Sequence, residues 1–301
     1  MPNMDISFLE KLDPMSPLYF ERFDAFKSFT DQKKRILEWI SDRFEDEIVS
    51  HLLGAEVKTG NVTLSVLGIG SGDGKAEVKM LMHLMKKFRL VEFTVVEPSA
   101  DEITSFKKLV EEQKKALNGV TFHWRQESLQ DFCKANADGS KRFHFVSALH
   151  SLYFIQNKDL DFYLKTIFGW TEGKMLIMQG AVNSIFSGLD KGFPSTSNPL
   201  RPFKLGNKIE DSLKTLGISF ETSVIPSECD ITCCFDSDSR DGKLLLDFFL
   251  HVVRCGDNGP PQLLKMIKEY LNTEGISYTR HGRLYAPVPT QVIIASTSKR
   301  F

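Results

Sequence analysis

The chain has 301 residues, 42% of them hydrophobic and 26% charged, an ordinary globular composition long enough for one large domain with additions or two small ones. Thirty-eight basic residues against 39 acidic ones leave a formal net charge of −1, so no electrostatic footprint for nucleic acid stands out and no basic cluster marks a membrane surface. No apolar run reaches the roughly 20 residues that cross a bilayer, and the opening "MPNMDISFLEKLDP" carries Asp5 and Glu10 where a secretory signal needs an apolar stretch.

Near the N-terminus "LYFERFDAFKSF" reads as a helix with Phe20, Phe23 and Phe26 near one face. In the next segment Ile36, Ile40, Phe44 and Ile48 recur every four residues, widened by Leu37 and Leu52, which predicts an amphipathic helix with one buried stripe. Residues 1–60 are therefore expected to form a helical cap on a larger domain spanning 61–301 and to contribute to its substrate pocket.

From Val62 the pattern changes to strands alternating with helices. "VTLSVLGIG", "VEFTVVE", "VTFHW", "FHFVSAL" and "KMLIMQG" read as strands, separated by helical runs such as "KAEVKMLMHLMKKF" and "ADEITSFKKLVEEQKKAL". This alternation predicts an α/β fold, a parallel sheet covered on both faces, with ligands at the carboxyl ends of the strands. Residues 181–206 are rich in Gly, Pro, Ser and Asn and too long for a routine connection, which marks either disorder or a substrate lid. A helix ("IEDSLKTLG"), a strand ("SFETSVI"), a helical insertion over 227–287 and a last strand ("TQVIIAST") complete the chain.

Five cysteines, Cys133, Cys229, Cys233, Cys234 and Cys255, are an odd count without a signal peptide, as expected of reduced thiols in a cytoplasmic protein. Cys229, Cys233 and Cys234 contain no CxxC pair and no nearby His, so they are read as small apolar strand residues and no metal site is expected.

The stretch "LSVLGIGSGDGK", Leu64 to Lys75, carries the chemistry. A phosphate-binding P-loop would need glycine at position 69 and a hydroxyl at position 76, where Ile69 and Ala76 stand. The dinucleotide pattern GxGxxG would need glycine at 73, where Asp73 stands. A nucleoside with a cationic methionine tail suits the stretch better: glycines let the backbone approach the ligand, and an acid in the loop carries no penalty. The second strand ends in Glu97, 25 residues after Gly72, placed to hold ribose hydroxyls. That spacing also fits a nicotinamide dinucleotide, and Asp73 with the GxGxG form favours S-adenosylmethionine.

In this order, "LSVLGIGSGDG", "VVEPSADEI", "LYFI", "KMLI", "CFD" and "GKLLLDFF", together with "YFERFDAF" near the N-terminus, resemble the histamine N-methyltransferase family from about Tyr19 to the final strand. The resemblance implies a monomeric, Rossmann-like, doubly wound seven-stranded sheet with a small substrate-binding region. It implies S-adenosyl-L-methionine as cofactor, S-adenosyl-L-homocysteine as product, and a small amine or imidazole acceptor. Carried onto this chain, it assigns the cofactor to Gly68, Gly70, Gly72, Glu97, Glu102, Ser128 and Leu149.

On the acceptor side the chain departs from the family. The family's N-terminal acid corresponds to Asp31, or to Gln32 with the register shifted by one; a glutamine becomes His150. Two tryptophans give way to a region offering Ile185, Phe186 and Leu189, and an asparagine before the last strand falls near Pro287. Methyl transfer from a sulfonium needs alignment and water exclusion more than acid catalysis. Phe20, Phe23, Tyr153, Phe154, Phe186 and Phe248 are accordingly candidate walls. His150 is the candidate catalytic residue, as a base or an orienting group. His144 is read as a paired strand residue and His83 as a surface one. A rewritten acceptor side also fits a second function, a cofactor-binding protein that acts by interaction.

Overall fold

The computed structural model describes residues 9–13, 16–52, 63–192 and 206–297. Two helices open it. In α1 (Pro17–Phe29) the Ser16 hydroxyl accepts the Tyr19 N–H at 3.3 Å and Pro17 occupies the first turn, two ordinary start signals. In α2 (Gln32–Glu47) the four-residue repeat buries Ile36, Ile40 and Phe44 as the periodicity predicts. The chain divides into two compact units. One comprises Met1–Arg35, Gly180–Asn207 and Val224–Thr290; the other comprises Ile36–Gln179, Lys208–Ser223 and Gln291–Phe301.

The second unit is built on the alternation seen in the sequence. It runs β1 (Thr63–Ile69), α3 (Lys75–Leu84), β2 (Leu90–Val96), α4 (Ala100–Glu112), β3 (Val120–Arg125), α5 (Leu129–Ala135), β4 (Phe143–Leu149), α6 (Leu160–Trp170) and β5 (Thr171–Gly180). With β6 (Phe220–Ile225) and β10 (Thr290–Ser296) these strands form a seven-stranded sheet in the order β3-β2-β1-β4-β5-β10-β6. The pairs β1–β2, β1–β4, β2–β3 and β4–β5 are parallel. This is the Rossmann-like doubly wound arrangement, and the order reverses between β1 and β4, where such sheets bind ligands. The central strands are apolar almost throughout, with Leu67 and Val146 fully buried, because helices cover both faces. Phe106 of α4 packs its ring on Phe93 at 6.3 Å and on Trp124 at 5.2 Å.

Two helices stop earlier than their apolar patterns suggest. After Leu84 the chain turns with i,i+3 bonds (Lys86 N–H to the His83 carbonyl, Lys87 N–H to that of Leu84), and Phe88 is buried ahead of β2. After Glu112 a similar series of turns buries Leu117 before β3. Both residues follow the helical period and serve the core from a turn.

After α8 (Gly206–Thr215) in the chain come α9 (Arg240–Leu250), α10 (Cys255–Asn258) and α11 (Pro261–Leu271), and the first unit has its own core around α9 and α11, including Phe26, Phe186, Phe248, Phe249 and Ile267. Arg22 of α1 is pinned to Asp247 of α9: its Nε and a terminal nitrogen both donate to one carboxylate oxygen, at 3.0 and 2.8 Å, with both side chains buried. Within 227–287 the chain also forms β7 (Glu228–Asp230), β8 (Tyr278–Arg280) and β9 (Arg283–Pro287), an antiparallel sheet in the order β7-β9-β8. Strands of three to five residues with no apolar alternation leave little periodic signal; of the three cysteines read as strand residues, only Cys229 lies in a strand, β7, while Cys233 and Cys234 lie in a 3-10 turn after it. Of the expected lid, α7 (Ile185–Gly192) is described, and 193–205 lie outside the described residues. Among the described residues no helix is long and apolar enough to cross a membrane, and no group of three or more His, Cys, Asp or Glu is placed to hold a metal ion.

Candidate functional site

At the carboxyl end of β1 the chain makes a tight turn into α3. Gly70 donates its N–H to the Val96 carbonyl at 2.7 Å, which locks the turn to the end of β2. Glu97, the next residue after β2, is buried at 7% exposure and lies against the same loop. One of its carboxylate oxygens accepts the Gly72 N–H at 3.0 Å and the other accepts the Ser99 N–H at 2.9 Å. A carboxylate has about four acceptor positions, so each oxygen keeps one for a hydroxyl donor such as a ribose diol. Ser99 in turn caps α4 by accepting the Glu102 N–H at 3.3 Å.

The glycines of this loop divide into two kinds. A Cβ on Gly70 would strike Ser151, one on Gly74 would strike the Phe106 ring, and one on Gly68 would come within 2.6 Å of the Ser71 hydroxyl. These three glycines are required by the loop's own packing. Gly72 differs: its φ of +53° favours glycine, and the nearest atom to a Cβ there is a Glu102 carboxylate oxygen at 3.8 Å. Gly72 is thus where the loop leaves room for something else to approach. Asp73 is held by Lys75 at 3.1 Å.

At the end of β4 Leu149 is half-buried, and His150 adopts a left-handed backbone with φ of +52°. Its N–H donates to the Met178 carbonyl at 2.7 Å, which fixes it to β5. Its Nδ1 lies 2.8 Å from the Tyr153 hydroxyl, and burial pushes the imidazole down to about 4. His150 is therefore neutral at pH 7, with its ring hydrogen-bonded to Tyr153. Phe154 is 44% exposed. Ser128 spends its hydroxyl on its own helix: it accepts the Asp131 N–H at 3.1 Å and donates to the Asp131 carboxylate at 2.7 Å. His144 is a paired strand residue, its Nδ1 2.9 Å from the Ser65 hydroxyl, and His83 lies 3.5 Å from Glu45.

Sequence reasoning missed three hydroxyls in this unit. Ser71, Ser147 and Ser151 each bury a hydroxyl oxygen that has no hydrogen-bond partner among the described residues. The available signal was local: Ser71 interrupts the glycine run and Ser151 follows His150.

The remaining candidates belong to the first unit. Phe186 and Phe248 are core residues at 6% and 2% exposure, with Phe26 stacked on Phe248 at 4.9 Å and meeting Phe186 edge-on at 5.8 Å. Phe23 is half-buried beside Phe248 at 5.8 Å, and Phe20 is exposed. Asp31 is engaged by its own chain: one carboxylate oxygen accepts the Glu228 N–H at 2.8 Å and the other pairs with Arg35 at 2.8 Å. Gln32 donates its side-chain amide to the Val288 carbonyl at 2.8 Å. Pro287 ends β9, in register with Glu228.

No family model matches the chain. Its curated relatives include N-methyltransferases. Histamine N-methyltransferase A of Xenopus laevis is 28% identical over 88% of this chain and 90% of its own length. Histamine N-methyltransferase of Xenopus tropicalis is 29% identical over 80% and 84%. Carnosine N-methyltransferase 2 of Gallus gallus is 26% identical over 97% and 92%. Among solved structures, magnesium protoporphyrin IX methyltransferase from Synechocystis, with bound SAH, has a TM-score of 0.46 and 11% identity over 95% of this chain and 97% of its own.

Proposed function

We propose, from a sequence that is histamine N-methyltransferase-like along most of its length, that the chain is an S-adenosylmethionine-dependent N-methyltransferase acting on a small amine or imidazole compound. The observation that carries the cofactor assignment is the Glu97 carboxylate, fixed by the Gly72 and Ser99 N–H groups beside a loop with room over Gly72. The orphaned serine hydroxyls beside that loop also fit a polar ligand better than they fit empty space.

When bound, S-adenosylmethionine supplies a methyl group on a sulfonium. The chain's part is to hold and orient. Glu97 accepts the ribose hydroxyls. Gly68, Gly70 and Gly72 form the loop beneath the ligand, and Glu102 and Leu149 border it. Ser128 acts there by fixing the start of α5. His150 orients the acceptor nitrogen: a group titrating near 4 is a poor proton acceptor at neutral pH and a good hydrogen-bonding one. Tyr153 holds the imidazole in place. Asp31, Phe20, Phe23, Phe186 and Phe248 of the first unit, and separately Tyr153 and Phe154 of the second, are our candidates for acceptor recognition. Asp31 takes a reduced share, because Arg35 already offsets its charge.

Replacement of the family's glutamine by His150 and of its tryptophans by smaller residues favours an imidazole compound longer than histamine, of dipeptide size. The carnosine N-methyltransferase relative supports this size class. We infer further a monomer in the cytoplasm, with no nucleic acid or membrane partner. Calorimetric titration with S-adenosylmethionine and, separately, with NAD tests the cofactor. Micromolar binding of the first and none of the second is expected. Binding of NAD alone overturns the reading.

A further inference from the structure

Cys233 and Cys234 stand side by side in a short 3-10 turn of the first unit, Thr232–Phe235, and both are free thiols. Cys233 is half-buried, and Cys234 beneath it is 1% exposed. The two sulfurs are within hydrogen-bond reach, with the Cys234 S–H directed at Cys233. The turn that carries them is held from several sides. The Ile231 N–H donates to the Leu284 carbonyl at 2.8 Å, and the Leu284 N–H donates to the Thr232 hydroxyl at 2.9 Å. That hydroxyl donates to the Asp230 carboxylate at 2.6 Å. The Asp236 N–H donates to the Cys233 carbonyl at 3.2 Å, and Gly242 of α9 packs so closely that a Cβ there would lie 2.0 Å from the same oxygen.

The surroundings give the two thiols different roles. The hydrogen bond from Cys234 holds the Cys233 thiol below the usual thiol range, while the same bond and then burial push Cys234 well up. Asp230 and Asp241 oppose ionisation of Cys233. Lys268, whose ammonium donates to the Phe235 carbonyl at 3.4 Å, favours that of Cys234. The thiolate is the nucleophile, so the more exposed Cys233 reacts first and Cys234 is the partner waiting next to it. Cys229 is fully buried, and burial pushes its thiol well above the usual range, which leaves it a bystander.

We infer that Cys233 and Cys234 are a redox-active vicinal dithiol, which a hydroperoxide converts reversibly to a disulfide. The Cys233 thiolate attacks the hydroperoxide; the O–O bond breaks, hydroxide leaves, and Cys233 becomes a sulfenic acid. The Cys234 sulfur then attacks the Cys233 sulfur. An S–S bond forms, the S–O bond breaks, and the Cys234 proton leaves with the hydroxide as water. The two thiols give up two electrons, and hydrogen peroxide takes them. Neighbouring Cα atoms are ~3.8 Å apart across a trans peptide, below the about 4.4–6.8 Å that ordinary disulfides span. A bridge between them is strained and readily reduced by small thiols, as a switch requires and a structural staple does not.

Trypsin releases Thr215–Arg240 as one peptide that holds Cys229, Cys233 and Cys234 and no other cysteine. The folded chain is treated with hydrogen peroxide, quenched in acid, unfolded, alkylated with iodoacetamide, digested and analysed by mass spectrometry with fragmentation. The peptide should lose two hydrogens, take up one alkyl group instead of three, and fragment as a Cys233–Cys234 bridge. Dithiothreitol before alkylation should restore all three sites. Cys229→Ser should oxidise as the unaltered chain does, and Cys234→Ser should stop at a Cys233 sulfenic acid that dimedone traps. Three alkyl groups after peroxide treatment of the unaltered chain overturn the inference, and so does a bridge through Cys229. Oxygen added to Cys233 with Cys234 still alkylated also overturns it, because the two sulfurs then do not join.

Discussion

The Glu97 carboxylate accepts the main-chain N–H of Gly72 at 3.0 Å across 25 residues of chain. The contact joins the end of β2 to the loop after β1, and it places a buried anion beside the open side of that loop. Glu97→Ala removes the acceptor for two main-chain donors and for the proposed ribose hydroxyls. S-adenosylhomocysteine affinity should fall at least about tenfold, from charge-assisted hydrogen bonds worth ~1.5–3 kcal/mol. Glu97→Gln, which keeps one acceptor oxygen, should lose less. Unchanged affinity in a folded Glu97→Ala variant removes the ribose assignment.

His150 should act by orientation. A glutamine there hydrogen-bonds without titrating, so His150→Gln should keep methyl transfer within about tenfold, whereas His150→Ala should lose more. Equal losses in the two variants would mean that the imidazole moves a proton. The same residue gives a stability signature. Its pKa lies at about 4 in the folded chain against an ordinary 6.5, so the unfolded chain takes up the proton first as pH falls. Its contribution is fully present above 6.5 and is lost as the pH drops from 6.5 towards 4. The drop in melting temperature between pH 7.5 and pH 4.5 should therefore be smaller in His150→Gln. An identical drop places the titration elsewhere.

The Arg22–Asp247 pair should matter to the first unit far more than a surface pair would. Truncating Asp247 leaves the buried Arg22 with only the Leu18 carbonyl and a long contact to Glu21, and leaves the Arg254 and Gly256 N–H groups without this acceptor, which together cost about 3–5 kcal/mol. Asp247→Ala should show this in urea unfolding followed by fluorescence. Arg22→Met together with Asp247→Leu should recover only the part owed to the stranded Arg22 charge, because the Arg254 and Gly256 N–H groups still lose their acceptor. A cost below about 1 kcal/mol in the single variant would mean that water reaches the pair.

The proposed anchor Asp31 should contribute modestly. Arg35 already offsets its charge, and that ion pair is half-exposed. Asp31→Asn should raise KM for a cationic acceptor less than about tenfold, with kcat little changed, because a partly exposed charge contributes about 1 kcal/mol or less. A hundredfold loss confined to cationic acceptors would restore Asp31 as the principal anchor.

What could be read in advance follows from the length of each signal. The alternation of strands and helices rests on seven-residue apolar runs such as β1 and β4, separated by helices, and such periodicity survives without tertiary information. Glu97 was legible because strand ends and glycine turns fix a spacing along the chain. The local partners of Ser128 and Asp31 follow readable patterns, S-x-x-D for the cap with Asp131 and an i,i+4 spacing for Arg35, but Asp31's backbone partner lies 197 residues away and carried no sign in the sequence. The short strands β7 to β9 and the orphaned hydroxyls of Ser71, Ser147 and Ser151 depend on which segments meet in space, and residue type alone does not reveal that.

The central claim is methyl transfer to a small nitrogen acceptor. Steady-state assays with labelled S-adenosylmethionine across histamine, histidine dipeptides, phenylethylamines and pyridines test it most directly. The account predicts N-methylation of at least one imidazole or amine compound at kcat/KM above the ~10⁴ M⁻¹s⁻¹ of a dedicated substrate, with histamine well below that figure. Tight cofactor binding with no methylated product from any acceptor would contradict it and leave a cofactor-binding protein that acts by interaction.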